Sequence, residues 1–128
     1  MGEAMPASSP EVLLVEDEAL VGLMIEIAFT EAGFSVHTFS NGRDALAYLA
    51  AGGRADVLFT DIDIAGDIDG VELASRTRKL RAGVAVVYAS GRREVENAVA
   101  GSALLPKPFI LAQACAAVQR MVPRRHAA

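Results

Sequence analysis

The chain has 128 residues, 52% of them apolar, with a formal net charge of −4 and a single cysteine. That is the length of one domain with one aliphatic core, and it is too apolar for a disordered chain. The charge gives no general attraction to nucleic acid or anionic lipid, one cysteine excludes an internal disulfide or a cysteine metal site, and no apolar run nears the ~20 residues that span a bilayer.

Residues 1–10 carry two prolines, Glu3 and no apolar stretch. They read as a flexible leader rather than a secretory signal, and Pro6 stands where a myristoylation motif at Gly2 needs Ser or Thr. Val12–Val15 is an apolar run that predicts a buried strand ending at Glu16-Asp17. Over 18–32, Leu20, Leu23, Met24, Ile27 and Ala28 recur at helical steps and mark the expected apolar positions of a helix stopped by Gly33. Residues 34–39 alternate as a strand. Asn41 caps a second helix, with Ala45, Leu46 and Leu49 on one face and Gly52-Gly53 at its end.

Residues 56–60 form a third apolar run, which ends at Asp61. A polar loop, 61–69, leads to a helix over 70–81 with Val71, Leu73, Ala74 and Leu80 as its apolar positions. A fourth strand is expected over 84–89, a short weak helix over 92–100, and a brief fifth strand over 103–105. A last helix over 109–121 has Ile110, Ala114, Ala117, Val118 and Met121 inward. Cys115, among alanines, reads as a small buried thiol. His37 reads as a surface side chain, and the arginines of 76–81 as a solvated helix face. The basic residues Arg124, Arg125 and His126 belong to a flexible tail, 123–128.

Strand and helix alternate five times, which argues for an α/β fold: a five-stranded parallel sheet with helices on both faces. In such sheets the site lies beyond the carboxyl ends of the strands. Glu16, Asp17, Asp61, Ser90 and Lys107 all fall there. Carboxylates meeting at one edge repel one another unless a cation joins them, and Mg²⁺ takes a few hard oxygen ligands. An aspartate can attack phosphorus to give an acyl phosphate, with cation and lysine neutralising the transferred group.

These residues resemble the receiver domains of two-component response regulators, in a stand-alone, single-domain form covering 11–122. The resemblance rests on Leu-Val-Glu-Asp-Glu at 14–18, Phe-Thr-Asp at 59–61, Asp-Gly at 69–70, Ala-Ser-Gly at 89–91 and Leu-Pro-Lys-Pro-Phe at 105–109. It implies a flavodoxin-like strand order 2-1-3-4-5 and phosphorylation of Asp61 by a sensor histidine kinase or histidine phosphotransfer protein. It also implies Mg²⁺ held by Asp17 and Asp61, by Glu16 through water and by the backbone carbonyl of Asp63. Ser90 matches the switch hydroxyl and Lys107 the phosphate-binding lysine, with a cis Lys107–Pro108 bond.

The chain departs from the common receiver pattern in three places. The 61–69 loop is one residue longer, and the 90–107 stretch is several residues short, so the fourth helix should be short or irregular. Leu104 stands where many receivers place Tyr or Phe, which argues against coupling of a ring there to Ser90. Tyr88-Ala89-Ser90-Gly91 is similar to single-domain receivers with Phe-Ala-Thr-Gly. No effector domain is expected in this length, so output should run by protein contact, in the cytoplasm, with no nucleic acid and no membrane. The chain would be no turnover enzyme, though it could catalyse its own phosphoryl transfer and dephosphorylation.

Three other readings compete. Residues 61–72 count as an EF-hand-like calcium loop, with Asp61, Asp63, Asp67, Asp69 and Glu72, but a β-rich run precedes them and Ala65 fails a ligand slot. A haloacid-dehalogenase-type phosphatase would explain Asp61-Ile62-Asp63, but it wants its second acidic pair downstream. A pseudo-receiver would be an interaction module that is never phosphorylated; the complete acidic set, hydroxyl and lysine argue against it.

Overall fold

The structure is a computed structural model and describes residues 9–123. Most of the expected leader and tail, with Gly2 and the Arg124, Arg125 and His126 cluster, lies outside the described residues. The strands are β1 (Glu11–Val15), β2 (Ser35–Phe39), β3 (Val57–Asp61), β4 (Ala85–Ser90) and β5 (Ala103–Pro106). The helices are α1 (Ala19–Glu31), α2 (Gly42–Ala50), α3 (Gly70–Leu80) and α4 (Leu111–Met121). The strands pair in parallel in the order β2-β1-β3-β4-β5, as expected.

Side chains alternate across the sheet with period two, and each face has its own core. Val12, Leu14, Val57, Phe59 and Val87 face α1 and α4. Leu13, Val15, Leu58, Val86 and Tyr88 face α2 and α3. The strand interiors are thus apolar on both sides, which is why β1, β3 and β4 read as unbroken runs. Asn41 caps α2 by accepting from the Asp44 amide at 2.8 Å, and Asp69 caps α3 by accepting from the Glu72 amide at 2.8 Å. Gly70 lets α3 begin against the end of β3: a Cβ there would sit 2.3 Å from the Asp61 carbonyl oxygen.

The structure corrects the face of α1. Leu20, Leu23, Met24 and Ile27 are 49–69% exposed, whereas Gly22, Ile25 and Phe29 are buried. The aromatic contacts of Phe29 decide it: its ring meets Phe59 edge-on at 5.4 Å and Phe34 at 6.1 Å. Ile110 and Leu80 are also exposed rather than inward, each standing at the end of its helix.

No helix forms between β4 and β5. Residues 91–102 make turns, with Asn97 (φ 61°) and Gly101 (φ 72°) in the left-handed region that interrupts a helix. Val95 and Val99 pack on the α2–α3 core, and the Val99 amide donates to the buried Tyr88 hydroxyl at 3.1 Å. Leu104 is partly buried against the same core.

The α3 arginines are not a simple solvated face. Arg78 donates to the Val84 carbonyl at 2.6 Å, and Arg81 donates to those of Leu49 and Gly53 at 2.7 and 3.0 Å, tying α3 to β4 and to the end of α2. His37 is partly covered, its ring 4.9 Å from that of Tyr48 and its Nε2 2.8 Å from Glu11. Cys115 is half-buried, with Sγ 3.7 Å from the Ala28 carbonyl, and burial pushes its thiol up.

Candidate functional site

Strand register assembles the site. Val15 pairs with Thr60, so Glu16-Asp17 and Asp61 leave neighbouring strands at one level. Asp61 pairs with Ala89 and Ser90 with Pro106, which brings Ser90 and Lys107 to the same edge. Among the described residues, Glu16, Asp17 and Asp61 are the one group of three acidic or thiol ligands whose donor atoms gather within 4.8 Å of one another. Lys107 Nζ donates to Asp61 Oδ2 at 2.6 Å, and the Lys107–Pro108 bond is cis.

Each carboxylate is held by backbone. Glu16 accepts from the Glu18 amide at 2.9 Å, Asp17 from the Ala65 amide at 2.9 Å, and Asp61 Oδ1 from the Asp63 amide at 3.3 Å. Glu16 and Asp61 are both only 8% exposed. Burial raises the Glu16 carboxyl above its ordinary value; the Glu18 amide and Lys107 oppose this, while the charges of Asp61 and Asp17 reinforce it. Burial pulls the Lys107 ammonium down, but the hydrogen bond and charge of Asp61, with Glu16 and Glu18, outweigh it and leave it above its ordinary value. Three carboxylates facing one ammonium leave this edge short of positive charge, which makes it a receptor for a further cation.

Ser90 is 1% exposed, and its hydroxyl accepts from the Arg92 amide at 2.9 Å. The Asp63 side chain is exposed and pairs with Arg92 at 2.9 Å. Sequence reasoning missed Arg92: it lies in a stretch without periodicity, and only its place two residues after Ser90 hinted at the site. A cavity of about 1050 Å³ adjoins the cluster and is lined by Lys107 and by apolar Val21, Met24, Phe109 and Leu111.

The calcium-loop reading does not fit. Asp67 is clasped by Arg43, Asp69 caps α3, and Glu72 pairs with Arg76 at 2.7 Å. Asp69 is occupied as the α3 cap, and the residues before Asp61 are a strand rather than the helix that opens an EF-hand.

The family model for the response regulator receiver domain matches residues 12–119. The chain is 35% identical to the transcriptional regulatory protein PrrA of Mycobacterium leprae over 94% of its own length and 53% of that protein's. It is 30% identical to the transcriptional regulatory protein QseB of Haemophilus influenzae over 90% of its own length and 53% of that protein's. The chain therefore spans about half the length of these curated relatives. Among solved structures, a response regulator receiver protein from Sinorhizobium medicae superposes with a TM-score of 0.82 at 35% identity, covering 89% of this chain and 94% of that one. The chemotaxis protein CheY4 of Vibrio cholerae gives 0.77 at 26% identity, covering 88% and 98%. Placed beside the acidic cluster and its lysine, these matches settle the family: the chain belongs to the response regulator receiver domains of two-component signalling.

Proposed function

We propose that the chain is a phosphoacceptor, taking a phosphoryl group onto Asp61 from a phosphohistidine on a sensor kinase or phosphotransfer protein. The observation that carries this reading is the ammonium of Lys107 2.6 Å from Asp61, with Glu16 and Asp17 gathered around the same carboxylate. An Asp61 oxygen attacks phosphorus; the P–O bond forms as the P–N bond breaks, and the imidazole keeps the electron pair and takes a proton. Lys107 stands where it can meet the oxygens of the transferred group, and Ser90 can turn its hydroxyl toward them.

The donor set suits Mg²⁺: hard carboxylate oxygens lie close together, and three negative side chains face one ammonium. Asp17 and Asp61 would hold the ion directly, Glu16 through water and Asp63 through its backbone carbonyl. Bound there, Mg²⁺ would neutralise charge on the transferring phosphoryl group.

The exposed apolar residues of α1, Leu20, Leu23, Met24 and Ile27, adjoin the cavity at Met24 and offer a surface for the phosphohistidine partner. Output is read as protein contact, since a net charge of −4 gives no attraction for nucleic acid. No described helix is long and apolar enough to cross a membrane.

Phosphoramidate, a small P–N donor, tests the reading. Labelling should require Mg²⁺, stop with a chelator, and be lost in Asp61→Ala. Equal labelling of Asp61→Ala would remove Asp61 as acceptor; no labelling of the native chain would favour a pure interaction module.

A further inference from the structure

Helices α2 and α3 cover the face of the sheet opposite α1 and α4, and a groove of about 480 Å³ runs between them. Its apolar lining is Leu46 and Ala50 of α2, Leu80 of α3 and Ile68 of the β3–α3 loop. Leu80 is 42% exposed. The polar lining is entirely cationic: Arg43, Arg76 and Lys79, with no carboxylate among the lining residues. Two of these cations are paired with carboxylates just outside the lining, Arg43 with Asp67 and Arg76 with Glu72.

Arg76 and Lys79 keep donors to offer. Arg76 uses Nε on Glu72, which leaves its terminal N–H groups, and Lys79 makes no ion pair among the described residues. Exposed pairs such as Arg76–Glu72 contribute little, so an incoming carboxylate meets little competition. An apolar floor with charged edges is what an amphipathic helix complements.

We propose that this groove docks an acidic amphipathic segment of a partner protein. Its apolar side chains would seat on Leu46, Ala50 and Leu80, and its carboxylates would meet Arg76 and Lys79. The apolar floor disfavours a nucleic-acid backbone, which would leave Leu80 uncovered. The groove lies on the other face of the sheet from the α1 surface, so the two can be occupied together. Ile68 and the Arg43–Asp67 clasp join the groove to the loop that starts at Asp61. The inference does not depend on Asp61 being phosphorylated.

The test titrates three probes into the isotope-labelled full chain: a synthetic helical peptide with Leu at three- and four-residue steps and Glu on its flanks, the same peptide with Lys for Glu, and a single-stranded DNA oligonucleotide. The Glu peptide should shift amides of 46–50 and 76–80, bind more weakly at high salt, and lose roughly tenfold in affinity with Lys79→Glu or Arg76→Glu. The Lys peptide should not bind. Both variants alter exposed residues, and unchanged amide spectra elsewhere would show that the fold is kept. The proposal fails if the Glu peptide does not bind or shifts residues elsewhere. Equal binding of both peptides, or stronger shifts of 46–50 and 76–80 by DNA, also overturns it. So does self-association of the chain through this groove that Leu80→Glu abolishes, which would make a second copy the occupant.

Discussion

Lys107 Nζ and the Asp63 amide take opposite oxygens of Asp61: the ammonium bonds Oδ2 at 2.6 Å and the amide bonds Oδ1 at 3.3 Å. Under the proposed phosphoacceptor role, the carboxylate is thereby oriented before a phosphoryl group arrives, and the cost of fixing it is met in folding rather than in reaction. Removing the ammonium separates its two effects. Lys107→Ala should bind Mg²⁺ more tightly, because a like charge has left the site. It should nevertheless be labelled by phosphoramidate on the order of a hundredfold more slowly, the usual loss when a stabilising donor is deleted. Labelling at the native rate would take Lys107 out of the chemistry.

Asp17 has two jobs that two variants can divide. It contributes charge to the cluster and accepts from the Ala65 amide at 2.9 Å. Asp17→Asn keeps an acceptor and loses the charge; Asp17→Ala loses both. Magnesium affinity, followed by amide shifts during titration, should fall by roughly tenfold or more in each. Hydrogen exchange at Ala65 should quicken only in Asp17→Ala. Equal exchange in the two would mean that the hydrogen bond does not hold the loop.

The two faces of α1 should respond oppositely. Ile25 is 2% exposed, so Ile25→Ala should destabilise by about 2–5 kcal/mol in urea unfolding. Leu23 is half exposed, and Leu23→Lys should stay within about 0.5 kcal/mol of the native chain. If α1 receives the partner, Leu23→Lys should slow phosphoryl transfer from a phosphohistidine protein while leaving labelling by phosphoramidate unchanged.

That helix also shows where sequence reasoning stops. The site was legible because each of its residues ends a strand, and parallel strands place their carboxyl ends together. The sheet order and cis Lys107–Pro108 followed from motif resemblance. The buried face of α1 was not legible: apolar residues lie all round it, and Leu20, Leu23, Met24 and Ile27 satisfy helical spacing as well as Gly22, Ile25 and Phe29 do. Only the ring contacts of Phe29 with Phe34, just past the end of the helix, and with Phe59 on β3 decide between them. Arg78 and Arg81 read as solvated because their partners are backbone carbonyls, which leave no mark in a sequence. Arg92 was missed for the same want of pattern: its partner Asp63 is 29 residues away.

Tyr88 gives the chain a predictable alkaline limb. Burial pushes its hydroxyl above the ordinary value of 10.0, against the opposing hydrogen bond from the Val99 amide. The folded state therefore holds this proton more tightly than the unfolded chain. Its contribution to stability is complete below about pH 10 and is lost as pH rises through the higher folded value. Tyr88→Phe has no such proton. Urea unfolding from about pH 9 to about pH 11 should show a steeper fall for the native chain than for the variant. Parallel slopes would contradict the burial account.

The most direct measurement locates the phosphoryl group itself. After labelling with Mg²⁺ present, borohydride reduction converts an aspartyl phosphate to homoserine, and fragmentation mass spectrometry identifies the residue. The account predicts a single modified position, Asp61, absent when Mg²⁺ is chelated. Modification at Glu16, Asp17 or any other residue in place of Asp61, or at Asp61 without a divalent cation, would contradict it.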